Sequence, residues 1–372
     1  MRLAAILAVF ILFFAVYAAL KAPQVNLFFG PPPDKVIEFK NARLVGRADG
    51  EKQWELEAER IWSTKNQNIT TFEDVKDGVL FKKGRVIVKG LKARQVKYYK
   101  WTEEIEGLAY LAGASGEAPL LEAFIDVENL SSKKNFSGGQ RFVKLFADRI
   151  FYSKRRDLAE ITGNVRIFEK DLSVFTQRMD VAGIDRSAVM TGGVRVKKAA
   201  TTISSDKLTA DFESELYNFT GCVALTQKNK AAVSERAVFE NLSSVATLEG
   251  SVRLLIEKGE ALLEHDTVQK LKNLEIKETL KEKTLLTSDR LTLSTTGGNA
   301  IAEGSVEISQ KGKRARSDRA VYDEKAEAIF LSGNVFIERE GQWLKTAKVI
   351  VSVSSESFVA EGSVEAEFKI QK

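Results

Sequence analysis

Apolar and polar residues alternate with a period of two through most of the chain, most clearly in Ile161-Thr-Gly-Asn-Val-Arg-Ile167. Ile161, Gly163, Val165 and Ile167 fall on one side and Thr162, Asn164 and Arg166 on the other, the pattern of a strand with one buried face. It returns at Met190–Val196, Phe219–Leu225, Leu248–Leu254, Ala302–Ile308, Leu331–Ile337 and Ala360–Ala366. The central glycines, Gly163, Gly192, Gly221, Gly250, Gly304, Gly333 and Gly362, are spaced by 29, 29, 29, 54, 29 and 29 residues. A fixed period of this kind marks a repeat architecture. A two-residue hairpin at Gly163-Asn164 would put Ile161 and Arg166 on the same face, so the strand is predicted to run through the glycine. The glycine is expected on the inner side of a sharp bend, where a side chain does not fit. Repeated block after block, this gives a sheet folded along a line of glycines around a narrow apolar trough.

A second column keeps the same step. Arg149, Arg178, Lys207, Arg236, Arg290, Arg319 and Lys348 each precede an apolar residue, and a second apolar or small residue follows two positions later. Each block therefore carries at least two strands. The 54-residue step reads as one ordinary block plus a shortened one, over 255–287, that has lost its glycine. Its Lys270–Lys283 run is densely charged and fits either a helix or an edge strand. The predicted inner face comprises Ile161, Val165, Ile167, Val194, Val196, Phe219, Val223, Leu225, Leu248, Val252, Leu254, Val306, Ile308, Leu331, Val335 and Ile337.

Upstream, Leu3 to Leu20 is an uncharged apolar run of 18 residues. As a helix it would be about 27 Å long, close to the thickness of a bilayer's hydrocarbon core. A retained anchor over 1–22 is preferred to a cleaved signal peptide, because no small-x-small site closes the run. Residues 23–35, with Pro31-Pro32-Pro33, form a stiff linker. From Val36 the pattern is again that of strands. Trp54, Leu56 and Ala58 alternate with Glu55, Glu57 and Glu59, Lys83-Gly84 signals a hairpin, and Val96–Trp101 is a further candidate strand. Residues 102–145 read as a loop-rich end to this first module, 36–145, before the array of 146–372.

Composition narrows the function. Lys+Arg of 56 against Asp+Glu of 51 leaves a net charge of +5, which permits an anionic partner without requiring one. The aromatic residues do not interleave with the basic column, as a nucleic-acid surface would need. One cysteine, Cys222, rules out an intramolecular disulfide and a cysteine-only metal site, and one histidine, His265, rules out a multi-histidine site or a histidine-based triad. Carboxylates recur as periodic columns, whereas a catalytic pair is unique. No enzyme activity, metal or cofactor is expected. The basic column reads either as a phosphate track or as a surface ladder neutralised by the neighbouring Asp148, Asp206, Glu235, Asp289 and Asp318; the ladder is preferred.

Trp54-Glu-Leu-Glu-Ala58, some thirty residues after an N-terminal anchor, resembles the LptC family of lipopolysaccharide export. The glycine blocks from Gly163 to Gly362 resemble the LptA (OstA-like) repeat that also begins LptD. The resemblance implies an all-β fold, an open antiparallel β-jellyroll bent into a V, preceded by one transmembrane helix. It implies an inner-membrane, single-pass protein with most of its chain in the periplasm. The implied ligand is lipopolysaccharide, its lipid A acyl chains lying in the trough. The implied partners are an inner-membrane ABC transporter and other jellyroll modules joined edge to edge. The alternative is an anchored envelope scaffold with a closed core.

Overall fold

A computed structural model describes residues 35–109, 121–126, 142–257 and 282–368, apart from short turns at 49, 83, 170–171, 184–186, 199, 212–213, 228–229, 241–242, 295–298, 324 and 353–356. The expected anchor, most of the linker, His265 and the Lys270–Lys283 run lie outside the described residues, except that Glu282 and Lys283 are included. Among the described residues, no helix is long and apolar enough to cross a membrane.

Among the described residues all regular structure is β. Four long strands come first: β1 Lys35–Ala48, β2 Glu51–Thr64, β3 Ile69–Lys82 and β4 Arg85–Tyr99. Four short ones follow, β5 Glu104–Leu108, β6 Leu121–Asp126, β7 Phe142–Ala147 and β8 Arg149–Ser153. Then come β9 Leu158–Glu169, β10 Leu172–Ala182, β11 Ser187–Lys198, β12 Thr201–Asp211, β13 Leu216–Gln227, β14 Lys230–Glu240 and β15 Val245–Ile256. The chain continues with β16 Thr284–Ser294, β17 Ala300–Gln310, β18 Lys313–Asp323, β19 Ala328–Arg339 and β20 Gln342–Ser352, and ends with β21 Ser357–Glu361 and β22 Glu365–Glu367.

Pairing is antiparallel throughout, and each rung bonds the next in sequence. β4 pairs with β5 along one half and β6 along the other; β5 pairs β8, β6 pairs β7, and β7 and β8 both pair β9. From β9 to β20 the meander is unbroken. β21 and β22 share the last rung on β20. The segment expected to be loop-rich therefore contains one split rung, β5/β6, and the start of a second, β7/β8. Their breaks fall at the bend that the longer strands pass through unbroken. The hairpin expected at Lys83-Gly84 is present, with Lys82 opposite Arg85.

The 54-residue step has a different origin from the one expected. β15 pairs directly with β16, Val245 opposite Ser294 and Ile256 opposite Thr284, with no rung between them. Residues 257–283 connect the two strands where the equivalent connection from β13 to β14 has two residues, 228–229. The extra length is thus an insertion in a connection. No block has been shortened, and none has lost its glycine.

A single sheet with one apolar face cannot bury it against nothing. Here one cluster of buried side chains runs from Leu145 to Val349, and among the described residues no helix and no second sheet covers it. The sheet covers itself by folding at the glycines, so each rung has two arms. The first arm holds the residues before the glycine of each odd-numbered strand from β9 on, such as Leu158–Thr162, and the second holds those after it. An upstream cluster from Trp54 to Ala123 has its own members, and the half-buried Ile150 packs against both.

Candidate functional site

The bend is built from backbone conformation. Gly163 and Asn164 both have positive φ, 76° and 47°, and so do Gly221 with Cys222, Gly250 with Ser251, Gly304 with Ser305 and Gly333 with Asn334. At each, two residues oppose one on the neighbouring strand: Gly304 and Ser305 face Asp318 alone, between the pairs Glu303–Arg319 and Val306–Ser317. This is a β-bulge, which bends a strand and adds to its twist. It also keeps Ile161, Val165 and Ile167 on one face, as the alternation predicts.

The reason for glycine differs from the one expected. A Cβ on Gly304 would lie 2.9 Å from Asp289 Cβ and closer still to its carboxylate. Gly163 meets Asp148, Gly221 meets Asp206, Gly250 meets Glu235 and Gly333 meets Asp318 in the same way. Asp206, Glu235, Asp289 and Asp318 are exposed, so the crowding is on the outer side of the corner. These acids serve the corner: Asn164 Nδ2 donates to Asp148 at 2.9 Å, and Asn334 Nδ2 to Asp318 at 2.9 Å. They are therefore not the partners that neutralise the basic column. For Arg149, Arg236, Arg290, Arg319 and Lys348 that role falls to the acid just before the glycine on an adjacent strand, and for Arg178 to Asp180 and Glu160. Arg149 Nε lies 2.7 Å from Glu106, Arg236 Nε 3.0 Å from Glu249, and Lys348 Nζ 2.8 Å from Glu361. Cys222 is exposed on the corner, in a slot that elsewhere holds Asn, Gly or Ser.

On the inner side of the corner runs a column that the sequence reading missed. Thr176, Ser205, Ser234, Ser288, Ser317 and Thr346 are all buried. Ser205 Oγ donates to the Lys207 carbonyl at 3.0 Å, Ser234 to Arg236 at 3.0 Å, Ser288 to Arg290 at 3.1 Å and Ser317 to Arg319 at 3.1 Å. The bulge interrupts the ladder here, and a buried carbonyl without a partner is costly. The signal was a hydroxyl two residues before each basic position, hidden because a polar residue was taken to face outward.

All sixteen predicted inner residues belong to the cluster, at two depths. Ile161, Val165, Val194, Phe219, Val223, Leu248, Val252, Val306, Leu331 and Val335 are sealed near the corner. Further along the second arm, Ile167, Val196, Leu225, Ile308 and Ile337 are half-buried, with Leu254 sealed in the same column. The first arm shows the same grading, from sealed Met179, Leu208, Leu291 and Val349 to half-buried Val181, Leu293 and Val351. The inner face is closed along its fold line, and towards the rims half-buried apolar residues alternate with sealed ones, Val174, Ile203, Ala232 and Leu344 on the second arm and Ala188, Ala210 and Ala246 on the first. Among the described residues the lining between the corner and the rim is mostly aliphatic, and the corner hydroxyls are bonded to backbone, which suits an apolar ligand.

Residues 177–358, from β10 into β21, match the family model described as LptA/(LptD N-terminal domain) LPS transport protein. The match lies within the array and covers most of it. Among solved structures, the chain is similar to LptH, the LptA homologous periplasmic component of the conserved lipopolysaccharide transport device of Pseudomonas aeruginosa. The match has 9% identity and a TM-score of 0.23, over 46% of this chain and 95% of that one. No curated protein matches.

Proposed function

We propose that this chain is a lipid-transport bridge: a V-shaped jellyroll of repeated blocks that shelters lipopolysaccharide acyl chains between its arms and passes them along the fold line. The family match over the array supports the substrate, and the observation that carries the reading is the graded inner face. Exposed methylenes cost roughly 0.8 kcal/mol each in water. Half-buried Ile167, Val196, Leu225, Ile308 and Ile337 recur along the second arm between better-buried neighbours, and an acyl chain would add cover to each. Because contacts among aliphatic side chains are non-directional, no rung holds the ligand much more tightly than the next, as passage requires.

In this reading the apolar run at Leu3–Leu20 anchors the chain in the inner membrane, and the sheet stands in the periplasm. An inner-membrane ABC transporter loads it. Among the described residues β1 pairs only with β2, and β21 and β22 only with β20, so each end of the meander has an edge. Strand addition at such an edge would join this chain to a further module.

The test is equilibrium binding of labelled lipopolysaccharide to the purified full chain. The reading expects saturable binding, weakened at least tenfold by Leu225→Asp with Ile308→Asp, since desolvating two charges costs more than the 1.4 kcal/mol of one decade. Binding that the double variant leaves unchanged contradicts it and favours a scaffold with a closed core.

A further inference from the structure

The upstream rungs share the bend but not the open rim. Trp54 lies on the second arm of β2, five residues from the bend, and is 6% exposed. Its ring packs against Phe72 and Tyr98, at centroid distances of 5.4 and 5.2 Å. Both lie on the first arm: Thr71 and Phe72 pair with Lys97 and Val96, and Tyr98 pairs with Ile105, on the side that continues into β8 and the first arm of β9. The indole therefore crosses the space between the arms. Gly46, opposite Trp54, makes room for it, since a Cβ there would lie inside the indole.

The equivalent rim position on the even strands of the array is held by Leu172, Thr201, Lys230, Thr284, Lys313 and Gln342, all half-buried. None has an indole's span. A second contact closes the same region. Lys82, at the outer end of β3 on the second arm, donates to both oxygens of Asp157 at 2.8 and 3.0 Å. Asp157 lies in the turn from β8 to β9, at the outer end of the first arm. An ion pair between the two arm ends spans the mouth.

We infer that Trp54 is the stopper that ends the acyl-chain trough, and that the Lys82–Asp157 pair holds the arms together over it. Acyl chains lie along the array from β9 on, and the space under β1 to β4 excludes them. The inference rests on the transport reading and adds a boundary to its site. Trp54 and the ion pair act by position; they do no chemistry.

The test is in-cell photocrosslinking in the full chain. A photoreactive residue replaces Leu44, half-buried in the rung beside Trp54, and separately Leu225 in the array, with lipopolysaccharide capture as the readout. Capture is expected at Leu225 and not at Leu44. With Trp54→Ala, capture at Leu44 rises on the order of tenfold, because the block is removed outright, and Leu225 is unchanged. Trp54→Leu serves if the alanine variant does not fold, and Asp157→Asn gives a smaller rise with the indole still in place. Equal capture at Leu44 and Leu225 in the unaltered chain overturns the stopper. So does a folded Trp54 variant in which Leu44 stays silent. Silence at Leu225 in the unaltered chain overturns the transport reading, and the stopper falls with it.

Discussion

Single residues set the corner. At Gly304, with φ of 75° and Asp289 against it, any side chain meets both backbone strain and a clash. Gly304→Ala is expected to cost about 1–3 kcal/mol in urea unfolding. Adding Asp289→Ala should recover the part of the clash due to the carboxylate, and Asp289→Gly, which also removes the Cβ at 2.9 Å, the whole steric part, leaving the backbone part. Ser288→Ala removes a buried hydroxyl that donates to the Arg290 carbonyl and is expected to cost about 0.5–1.5 kcal/mol, whereas Ser288→Thr should cost less, since Thr176 and Thr346 occupy the same column. The glycine period and the alternation around it were legible in the sequence because each is a property of one strand. Which side of the corner crowds the glycine was not, because Asp289 comes from the preceding strand, fifteen residues earlier. The serine column was hidden for a related reason: its hydroxyls face inward, and only the bulge explains what they bond.

Elements follow from how these corners pair. The insertion at 257–283 shows where sequence spacing misleads: it lengthens the step between glycines without adding a rung, and only the direct β15–β16 ladder reveals that. Replacing 257–283 with a two-residue turn is therefore expected to leave thermal stability unchanged or raised, since closing a shorter loop costs less entropy. A fall of several degrees with loss of the β15–β16 ladder would contradict the assignment. At the first arm's outer end, burial, with Asp157 and then Glu103 nearby, pushes the Tyr152 phenol up to about 12. Its folded value lies above that of an unfolded tyrosine, so its contribution is complete below about pH 10 and is lost as pH rises from there through 12. Tyr152→Phe should flatten the fall of stability across that window, and Tyr99, pushed up to about 12 by burial and then by Glu106, should leave a residual slope.

At the scale of the whole molecule, the three rungs that hold two short strands each reduce the 22 strands among the described residues to 19 rungs. At ~4.8 Å per rung they span on the order of 85 Å. The rungs from β7/β8 to β21/β22 account for about 65 Å of this, shorter than eight blocks would give, because no extra block stands between β15 and β16. That length of graded apolar face, interrupted upstream by Trp54, is what the transport reading needs. The most direct measurement compares photoreactive residues at Leu225, inward and half-buried, and Thr226, outward and exposed, in growing cells. Capture of lipopolysaccharide at Leu225 and not at Thr226 is the predicted result. Capture at neither, in a chain that folds and accumulates normally, contradicts a lipid trough and leaves a closed structural core.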